Sequence, residues 1–316
     1  MKLWIDTDIG GDIDDALALL YAMSSPDAEI AGVSTVFENT YARAEIASSL
    51  LIAGGKENVP VYAGCGVPYA ATTVHRLRID PSAMPKTYVP ELFAGAPVEK
   101  ENGVDALAAA LSRGEKMKIV TLGALTNIAK LIDLYPHVVK NIDELCIMGG
   151  AKKTNVNEFN LTCDPEAASI VFRSSIPKRI VTLDCTFRCR VKKKDAERLK
   201  VCKSAAVKTV AEMYGLWDGK MFLHDPLALV SALPEGEKFL SFRKGDLFVE
   251  TEGKYSRGKC ADLTDFNWRN EGREDMLVSD KVSAQAFVEN YISTVVRWDE
   301  TLPESTGKKP LYLCRG

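Results

Sequence analysis

Residues 2–23 read KLWIDTDIGGDIDDALALLYAM, so an acidic loop joins a short apolar run to an amphipathic segment. The apolar run before Asp6 predicts a buried strand, and the spacing of apolar residues after Asp14 predicts a helix. Aspartates occupy positions 6, 8, 12, 14 and 15. Because carboxylates packed so densely repel each other, we expect this loop to have a function that needs them.

The alternation of strand and helix continues along the chain. Helical patterns such as ARAEIASSLLIAGG and VDALAAALSR lie between β-rich runs at residues 29–37, 60–64, 118–123, 144–150 and 179–184. This pattern predicts βαβ units, and therefore an α/β fold with a mainly parallel central sheet flanked by helices. We find no Pro/Gly/Ser-rich linker and no internal repeat, so we expect a single domain over residues 1–316.

The last third of the chain predicts a different arrangement. After Lys192 the pattern becomes helical, and residues 245–266 then predict a β-hairpin that turns near Glu252 and Gly253. A final helix is predicted over residues 282–296. The domain therefore ends in a helical region with a hairpin.

Composition narrows the class of protein. The chain has 316 residues, 46% of them hydrophobic, which is enough for a sizeable core, and its net charge is −3. The basic run Lys192–Lys194 is too short to indicate nucleic acid binding, and no apolar run is long enough for a membrane span. The N-terminus shows no secretory signal, and the eight cysteines include no CxxC pair. We therefore expect free thiols in a cytoplasmic protein, and three histidines without ligand spacing argue against a zinc site.

Polar or glycine residues follow most of the predicted strands. They are the aspartate loop, Glu38 and Asn39, Gly123, Gly149 and Gly150, and Asp184. Parallel strands place their carboxyl ends at one edge of a sheet, and ligands bind at that edge in such folds. We therefore expect these residues to converge.

Three interpretations of the aspartate loop compete. Helix capping accounts for one or two aspartates but not for five. An EF-hand loop would need Glu where Leu17 stands and a helix where a strand is predicted, so we reject it. The third interpretation is a site for a hard cation such as Ca²⁺ or Mg²⁺ at the end of a strand.

The pair Asp6 and Asp8 also resembles the motif of haloacid-dehalogenase-like, Mg²⁺-dependent phosphatases. In those enzymes the first aspartate is the nucleophile, and Thr or Val stands two residues after the second. Gly10 occupies that position here, and we find no convincing downstream acidic pair. The phosphatase remains an alternative with less support.

The chain as a whole resembles the inosine-uridine-preferring nucleoside hydrolase family. The resemblance covers nearly its full length and depends on seven motifs in the family's order. They are Asp6–Ala16 (DTDIGGDIDDA), Val36–Asn39 (VFEN), Gly123–Ala129 (GALTNIA), Met148–Gly150 (MGG), Glu158–Ala168 (EFNLTCDPEAA), His224–Pro226 (HDP) and Thr251–Gly258 (TEGKYSRG). One such motif is weak, but seven in order are specific.

The resemblance implies calcium-dependent hydrolysis of the N-glycosidic bond of ribonucleosides, which gives ribose and a free base. It implies a small-molecule partner, a homodimer or homotetramer, and neither nucleic acid nor membrane as a partner. A calcium-dependent nucleoside- or sugar-binding protein without turnover is a second alternative.

The resemblance also implies roles for individual residues. The cation would be held by the carboxylates of Asp8, Asp15 and Asp225 and by the carbonyl of Leu122. Asp8 would also be the general base, and His224 the general acid. The ribose would be bound by Asp14, Asn39, Asn155, Glu158 and Asn160, with Glu158 at the 5′-hydroxyl.

Each of these residues has a simpler alternative. Asp14, Asp15 and Asn39 could only cap helices, and Asp225 could be an N-cap followed by Pro226 at the first helical position. Glu158 and Asn160 could be ordinary polar residues of a loop. His224 could be a structural histidine at the start of a helix.

The sequence departs from the family pattern at the acidic loop. Two extra residues separate Asp8 from the Asp14–Asp15 pair, and the usual proline is missing. Asp12 is therefore an additional carboxylate, which could take the role of Asp8 or of Asp14. Gly10 and Gly11 would allow positive φ angles there. Residues 76–97 are also unusual, and they fall where the family borders the base, so the sequence predicts no base preference.

Overall fold

The chain is described by a computed structural model that covers residues 1–70, 79–153, 156–217, 219–264 and 272–304. Its strands are β1 (Lys2–Thr7), β2 (Glu29–Thr35), β3 (Val61–Ala63), β4 (Met117–Thr121), β5 (Ile142–Met148), β6 (Lys178–Val181), β7 (Leu240–Lys244), β8 (Leu247–Val249), β9 (Cys260–Asp262) and β10 (Met276–Val282). Its α-helices are α1 (Asp14–Ser24), α2 (Thr40–Ala53), α3 (Pro90–Phe93), α4 (Gly103–Ser112), α5 (Thr126–Leu134), α6 (Phe159–Cys163), α7 (Pro165–Arg173), α8 (Leu183–Thr186), α9 (Lys193–Glu197), α10 (Ala205–Leu216), α11 (His224–Ser231) and α12 (Ala284–Asp299).

Eight of these strands form one sheet, in the order β3-β2-β1-β4-β5-β6-β10-β7. All neighbouring pairs are parallel except β10 and β7, which are antiparallel at one edge. The prediction of a mainly parallel α/β sheet flanked by helices is therefore confirmed. In β1 the apolar run is sandwiched between two neighbours, since Ile5 pairs with Val33 of β2 and with Val120 of β4.

Helices cover both faces of the sheet. Leu3 and Ile5 of β1 belong to a buried cluster that includes residues of α1, α2, α11 and α12. Trp4, which points to the opposite face, belongs to a second cluster that includes residues of α4, α5 and α7. Burial on both faces explains why the strands read as continuous apolar runs.

The predicted hairpin exists, but its turn is longer than expected. Strands β8 and β9 pair antiparallel, and residues 250–259 connect them. The amide of Glu250 donates to the carbonyl of Lys259, and the amide of Arg257 donates to that of Gly253. The predicted Glu252–Gly253 position therefore lies within this ten-residue connection, nearer to its start than to its end.

The predicted final helix is confirmed, but its ends are shifted from residues 282–296. Val282 ends β10, and the helix begins at Ala284 and continues to Asp299. Strand β10 was missed because Ser279, Asp280 and Lys281 interrupt its apolar pattern. Among the described residues, none of the helices combines the length and apolarity that a membrane crossing needs. The cysteines among the described residues are free thiols.

Candidate active site

The acidic loop lies at the carboxyl end of β1 and leads directly into α1. Gly10 adopts a φ of +105°, and a Cβ atom there would lie 2.6 Å from Cδ1 of Ile46 and 2.7 Å from Cβ of Pro85. Glycine is therefore required at Gly10 by both conformation and space. The expected positive φ is not found at Gly11.

Three aspartates of this loop form a tight cluster. One carboxylate oxygen from each of Asp12, Asp14 and Asp15 lies within 4.8 Å of the others. Asp14 and Asp15 are buried, whereas Asp12 is partly exposed. Helix α1 begins after Ile13 without a side-chain cap, so capping does not account for Asp14 or Asp15.

Asp225 lies on α11, more than 200 residues away in sequence, and α11 packs against α1, which carries Asp14 and Asp15. It is 3% exposed, and α11 begins at His224 after Leu223 without a side-chain cap. The alternative that Asp225 is an N-cap is therefore wrong, and Pro226 is the third residue of the helix. Burial first, and then the charges of Asp15, Asp12 and Asp8, raise the pKa of Asp225 well above its ordinary value.

The same effects act on the other carboxylates. Burial raises the pKa of Asp8 to about 7, with a further contribution from Asp12. Burial, followed by neighbouring carboxylates, also raises the pKa values of Asp14 and Asp15 well above their ordinary range. Buried carboxylates that raise each other's pKa are the donor set that suits a hard divalent cation, because the cation neutralises their repulsion. The residues present therefore fit the cation that the family resemblance implies.

Leu122 directly follows β4, and the next residue, Gly123, lies against Asp8. The amide of Leu122 donates to the carbonyl of Asp6 at 2.8 Å. A Cβ atom on Gly123 would lie 3.0 Å from both Cβ and Cγ of Asp8, so only glycine allows this approach. The Leu122 carbonyl accepts a hydrogen bond from Nδ2 of Asn160 at 2.7 Å.

Glu158 and Asn160 are not ordinary loop residues. Glu158 is buried and caps α6, because its carboxylate accepts hydrogen bonds from the amides of Gly150, Asn160 and Leu161 at 2.8–3.2 Å. Burial nevertheless raises its pKa. Nδ2 of Asn160 also donates to the carbonyl of Met148 at 3.2 Å. Both side chains are therefore fixed at the carboxyl edge of β4 and β5.

Asn39 has the capping role that was its simpler alternative. Its Oδ1 accepts from the amide of Ala42 at 3.1 Å, at the start of α2, and its Nδ2 donates to Sδ of Met84 at 3.4 Å. The two residues before it, Phe37 and Glu38, have φ angles of 72° and 57°, which non-glycine residues rarely adopt. Asn155 lies outside the described residues.

His224 lies next to the carboxylate cluster at the start of α11. Its Nδ1 is 2.7 Å from Oγ1 of Thr186, and its ring packs against Phe187 and Phe222 at centroid distances of 5.1 and 5.3 Å. Burial lowers the pKa of His224 to about 4, although Asp12 opposes this effect. The imidazole is therefore neutral near pH 7.

A cavity of about 300 Å³ opens beside His224. It is lined by Asp12, Ile13, Asp14, Trp217, Lys220, Phe222 and His224. A lining that combines two carboxylates with two aromatic rings suits a ligand that has a polar, hydroxyl-rich part and a flat part. Sequence reasoning missed Trp217, Lys220 and Phe222, which belong to no motif.

Asp6 cannot act as the nucleophile of a phosphatase. Its side chain is fully buried, and its Oδ1 accepts hydrogen bonds from Oγ of Ser34 and from Nδ2 of Asn127. Burial raises the pKa of Asp6 to about 7. A carboxylate enclosed between two strands has no access to a phosphate ester, so the phosphatase alternative is rejected.

Arg43 was also missed, because a charged residue in an amphipathic helix is expected at the surface. It lies on α2 and is 3% exposed. Its guanidinium donates to the carbonyls of Asp8, Ile9 and Phe37. It therefore connects the loops that follow β1 and β2.

Comparison with known proteins identifies relatives of this chain. Residues 3–289 match the family model described as inosine-uridine preferring nucleoside hydrolase. A probable uridine nucleosidase 1 from Oryza sativa subsp. japonica is 32% identical over 297 residues, which cover 85% of this chain and 87% of that protein. The pyrimidine-specific ribonucleoside hydrolase RihA from Escherichia coli (strain K12) is 29% identical over 313 residues, which cover 92% and 96%.

Solved structures share the fold. A purine-preferring ribonucleoside hydrolase from Gardnerella vaginalis superposes with a TM-score of 0.83 at 24% identity, covering 96% of this chain and all of that one. The plant nucleoside hydrolase PpNRh1 superposes with a TM-score of 0.80 at 23% identity, covering 93% and 98%. These similarities establish the fold.

Proposed function

This chain belongs to the inosine-uridine preferring nucleoside hydrolase family, and we propose that it hydrolyses the N-glycosidic bond of ribonucleosides with the help of a bound Ca²⁺. The observation that carries the proposal is the cluster of Asp12, Asp14 and Asp15 beside a 300 Å³ cavity that Asp12 and Asp14 line, with α11, which carries Asp225, packed against α1. A cation, a ribose and a base could all be held there.

The cation would be held by Asp8, Asp15 and Asp225 and by the carbonyl of Leu122. All four groups offer oxygen, which Ca²⁺ prefers. A carboxylate oxygen of Asp12 lies within 4.8 Å of one of Asp15, so Asp12 is a candidate for an additional ligand. When bound, the cation would supply Lewis acidity toward the attacking water.

The protein's own residues would perform the remaining steps. Asp8 would accept a proton from the water that attacks the anomeric carbon. Asp14 and the other carboxylates would favour the positive charge that develops on the ribosyl group in an oxocarbenium-like transition state. The departing base would occupy the cavity between Trp217 and Phe222, with His224 as its proton donor.

The ribose would be gripped by Asp14, Asn39, Asn155, Glu158 and Asn160. The geometry of Asn160 supports this role, since its Nδ2 donates hydrogen bonds to the carbonyls of Leu122 and Met148. That arrangement orients the amide oxygen to accept a hydrogen bond from a ribose hydroxyl. Glu158 is held by three backbone amides, so it would bind a hydroxyl without having to reorganise.

We further propose that the enzyme works in the cytoplasm as a homodimer or homotetramer. The free thiols of the described cysteines support a reducing compartment. Light scattering coupled to size-exclusion chromatography would give the mass of the assembly, and a monomer at micromolar concentration would contradict the second part.

A reducing-sugar assay with a panel of ribonucleosides tests the proposed activity. We expect release of ribose in Ca²⁺, loss of activity in EDTA, and recovery when Ca²⁺ is added back. Mg²⁺ added to a parallel sample would identify the preferred ion. Binding of nucleosides without release of sugar, with or without Ca²⁺, would instead support the non-catalytic binding protein.

A further inference from the structure

Arg43 ties the acidic loop to its neighbour through the main chain. Its Nε donates to the carbonyl of Phe37 at 2.7 Å, and its Nη1 donates to the carbonyl of Ile9 at 3.0 Å and to that of Asp8. A planar guanidinium can bind several carbonyls at once, which an ammonium group cannot do with the same geometry. Arg43 therefore fixes the main chain from which the Asp8 carboxylate projects.

The charge of Arg43 also acts on the carboxylates. Its positive charge lowers the pKa values of Asp8 and Asp15, against the larger effect of burial. Glu38 is the carboxylate on its other side, with Oε2 3.6 Å from Nη2, and that side chain is 22% exposed. At this longer distance Glu38 compensates only part of the charge.

Arg257 shows what a purely structural buried arginine looks like in this fold. Its side chain is 6% exposed, and its Nη2 is only 2.5 Å from Oε2 of Glu166. Its Nη1 donates to the carbonyl of Thr251 in the hairpin loop. The charge of Arg257 is thus balanced by a carboxylate hydrogen-bonded to it, whereas Arg43 donates its hydrogen bonds to neutral carbonyls, including that of Asp8, and has Glu38 as its carboxylate neighbour at 3.6 Å.

We propose that Arg43 is a positioning residue: through the main chain it orients Asp8 for its role as general base, and it supplies a fixed positive charge beside the acidic loop in the absence of a cation. This inference rests on the cation site of the proposed function. Its consequence is unusual for a residue beside a metal site. Removing Arg43 should destabilise the cation-free protein yet strengthen cation binding, because a like charge next to the cation is removed.

The test compares Arg43→Met, Arg43→Lys and Arg257→Met with the full-length wild type. Cation affinity is measured by titration with Tb³⁺, a luminescent substitute for Ca²⁺, and Tm is measured in EDTA and in saturating Ca²⁺. In Arg43→Met we expect Tb³⁺ to bind about tenfold more tightly, since one positive charge near the site is lost. The rise of Tm on adding Ca²⁺ should grow by about 2–4 °C relative to wild type, because tighter binding to the native state stabilises it further.

The two other variants separate charge from structure. Arg43→Lys keeps the charge but loses the planar fork, so its Tb³⁺ affinity should stay within about threefold of wild type while kcat falls by about tenfold. Arg257→Met should lower Tm equally in EDTA and in Ca²⁺. If Arg43→Met fails to fold, the Tb³⁺ affinity and kcat of Arg43→Lys still test the inference.

Three outcomes would overturn the inference. One is Tb³⁺ binding in Arg43→Met that equals or is weaker than that of wild type. Another is a tightening in Arg43→Lys of more than threefold, which would show that charge is not the cause. The third is no Ca²⁺-dependent rise of Tm in the wild type, which would overturn the proposed cation site together with this inference.

Discussion

The side-chain amide of Asn160 donates a 2.7 Å hydrogen bond to the main-chain carbonyl of Leu122. The resemblance to the family implies that Leu122 ligates the cation and that Asn160 binds the ribose. The two proposed subsites therefore share a hydrogen bond. A substitution of Asn160 should therefore change the affinity for the cation as well as that for the sugar.

Asn160→Ala tests this connection. Without the amide, the Leu122 carbonyl loses the partner that orients it, and we expect cation affinity to fall by roughly tenfold, the lower end for groups that support a metal ligand. The measurement is a Tb³⁺ titration of the folded variant. Asn102→Ala is the control, because Asn102 is an exposed residue that caps α4 through the amide of Val104. Equal affinities in Asn160→Ala and wild type would separate the two subsites.

Asp225→Ala should lower metal content and nucleoside hydrolysis together. The variant removes a buried carboxylate from the proposed ligand set, and we expect sub-stoichiometric metal by mass spectrometry and loss of ribose release. Asp299→Ala is the matched control, because Asp299 is also buried but accepts from the amides of Lys203 and Ser204. That control should lose about 1–3 kcal/mol of stability and keep its metal. Full metal occupancy with normal turnover in Asp225→Ala would exclude Asp225 as a ligand.

Deoxynucleosides test the grip on the ribose. If Asn160 and Glu158 bind hydroxyls, then 2′-deoxy and 5′-deoxy nucleosides leave buried polar groups unpaired in the site. We expect kcat/KM to fall by at least about 10²-fold relative to the matching ribonucleosides. The assay compares inosine with 2′-deoxyinosine and with 5′-deoxyinosine. Equal rates on inosine and 2′-deoxyinosine would refute the assignment.

The sequence was most informative where local pattern and tertiary position agree. The apolar runs of β1 to β6 are each followed by a helical pattern, so their parallel direction could be predicted, although their order in the sheet was not. Strand β10 could not, because its pairing with β6 and β7 depends on residues about 30 to 100 positions away and its end carries Asp280 and Lys281.

The acidic residues of the site were predicted from motifs, but their environment was not. Whether Asp225 caps a helix or joins the cluster depends on how α11 packs against α1, which no local signal gives. Arg43 could not be distinguished from a surface arginine, since burial of a charge becomes apparent only when its partners are in place.

Strand β10, which the sequence did not predict, provides a test of stability. Nζ of Lys178, a buried side chain on β6, lies 3.0 Å from Oδ2 of Asp275, which directly precedes β10. Burial alone would raise the pKa of Asp275, but hydrogen bonds from Arg273 and Lys178 outweigh it, and the pKa lies below its ordinary value. A lowered folded-state pKa stabilises the protein above the unfolded pKa, and this contribution is lost as pH falls through the folded one.

The effect of Asp275→Asn on the free energy of unfolding should therefore depend on pH. We expect a loss of roughly 1–2 kcal/mol in the free energy of unfolding at pH 7, because a buried ammonium loses its charged partner but keeps hydrogen bonds. The difference from wild type should shrink as the pH falls below about 4. Urea denaturation across this range measures it. A difference that is constant from pH 7 to pH 3 would exclude the charge of Asp275 as the cause.

The last prediction concerns His224 as the general acid. The ring lies against the cavity that we assign to the leaving base, and Nδ1 is 2.7 Å from Oγ1 of Thr186, which fixes its orientation. Since burial lowers the pKa of His224 to about 4, the imidazolium that donates the proton to the departing base is a minor form near pH 7. An acid is needed only for poor leaving groups, and purine or pyrimidine anions are poor ones, whereas p-nitrophenolate leaves readily.

His224→Ala should therefore slow inosine or uridine hydrolysis by roughly 10²–10⁴-fold, the usual range for general acid catalysis. Hydrolysis of p-nitrophenyl riboside should stay within about tenfold of wild type, because that step needs no proton donor. Metal content should be unchanged, which distinguishes a lost acid from a damaged ligand set. Equal losses on both kinds of substrate would mean that His224 positions Asp225 or the start of α11 and donates no proton.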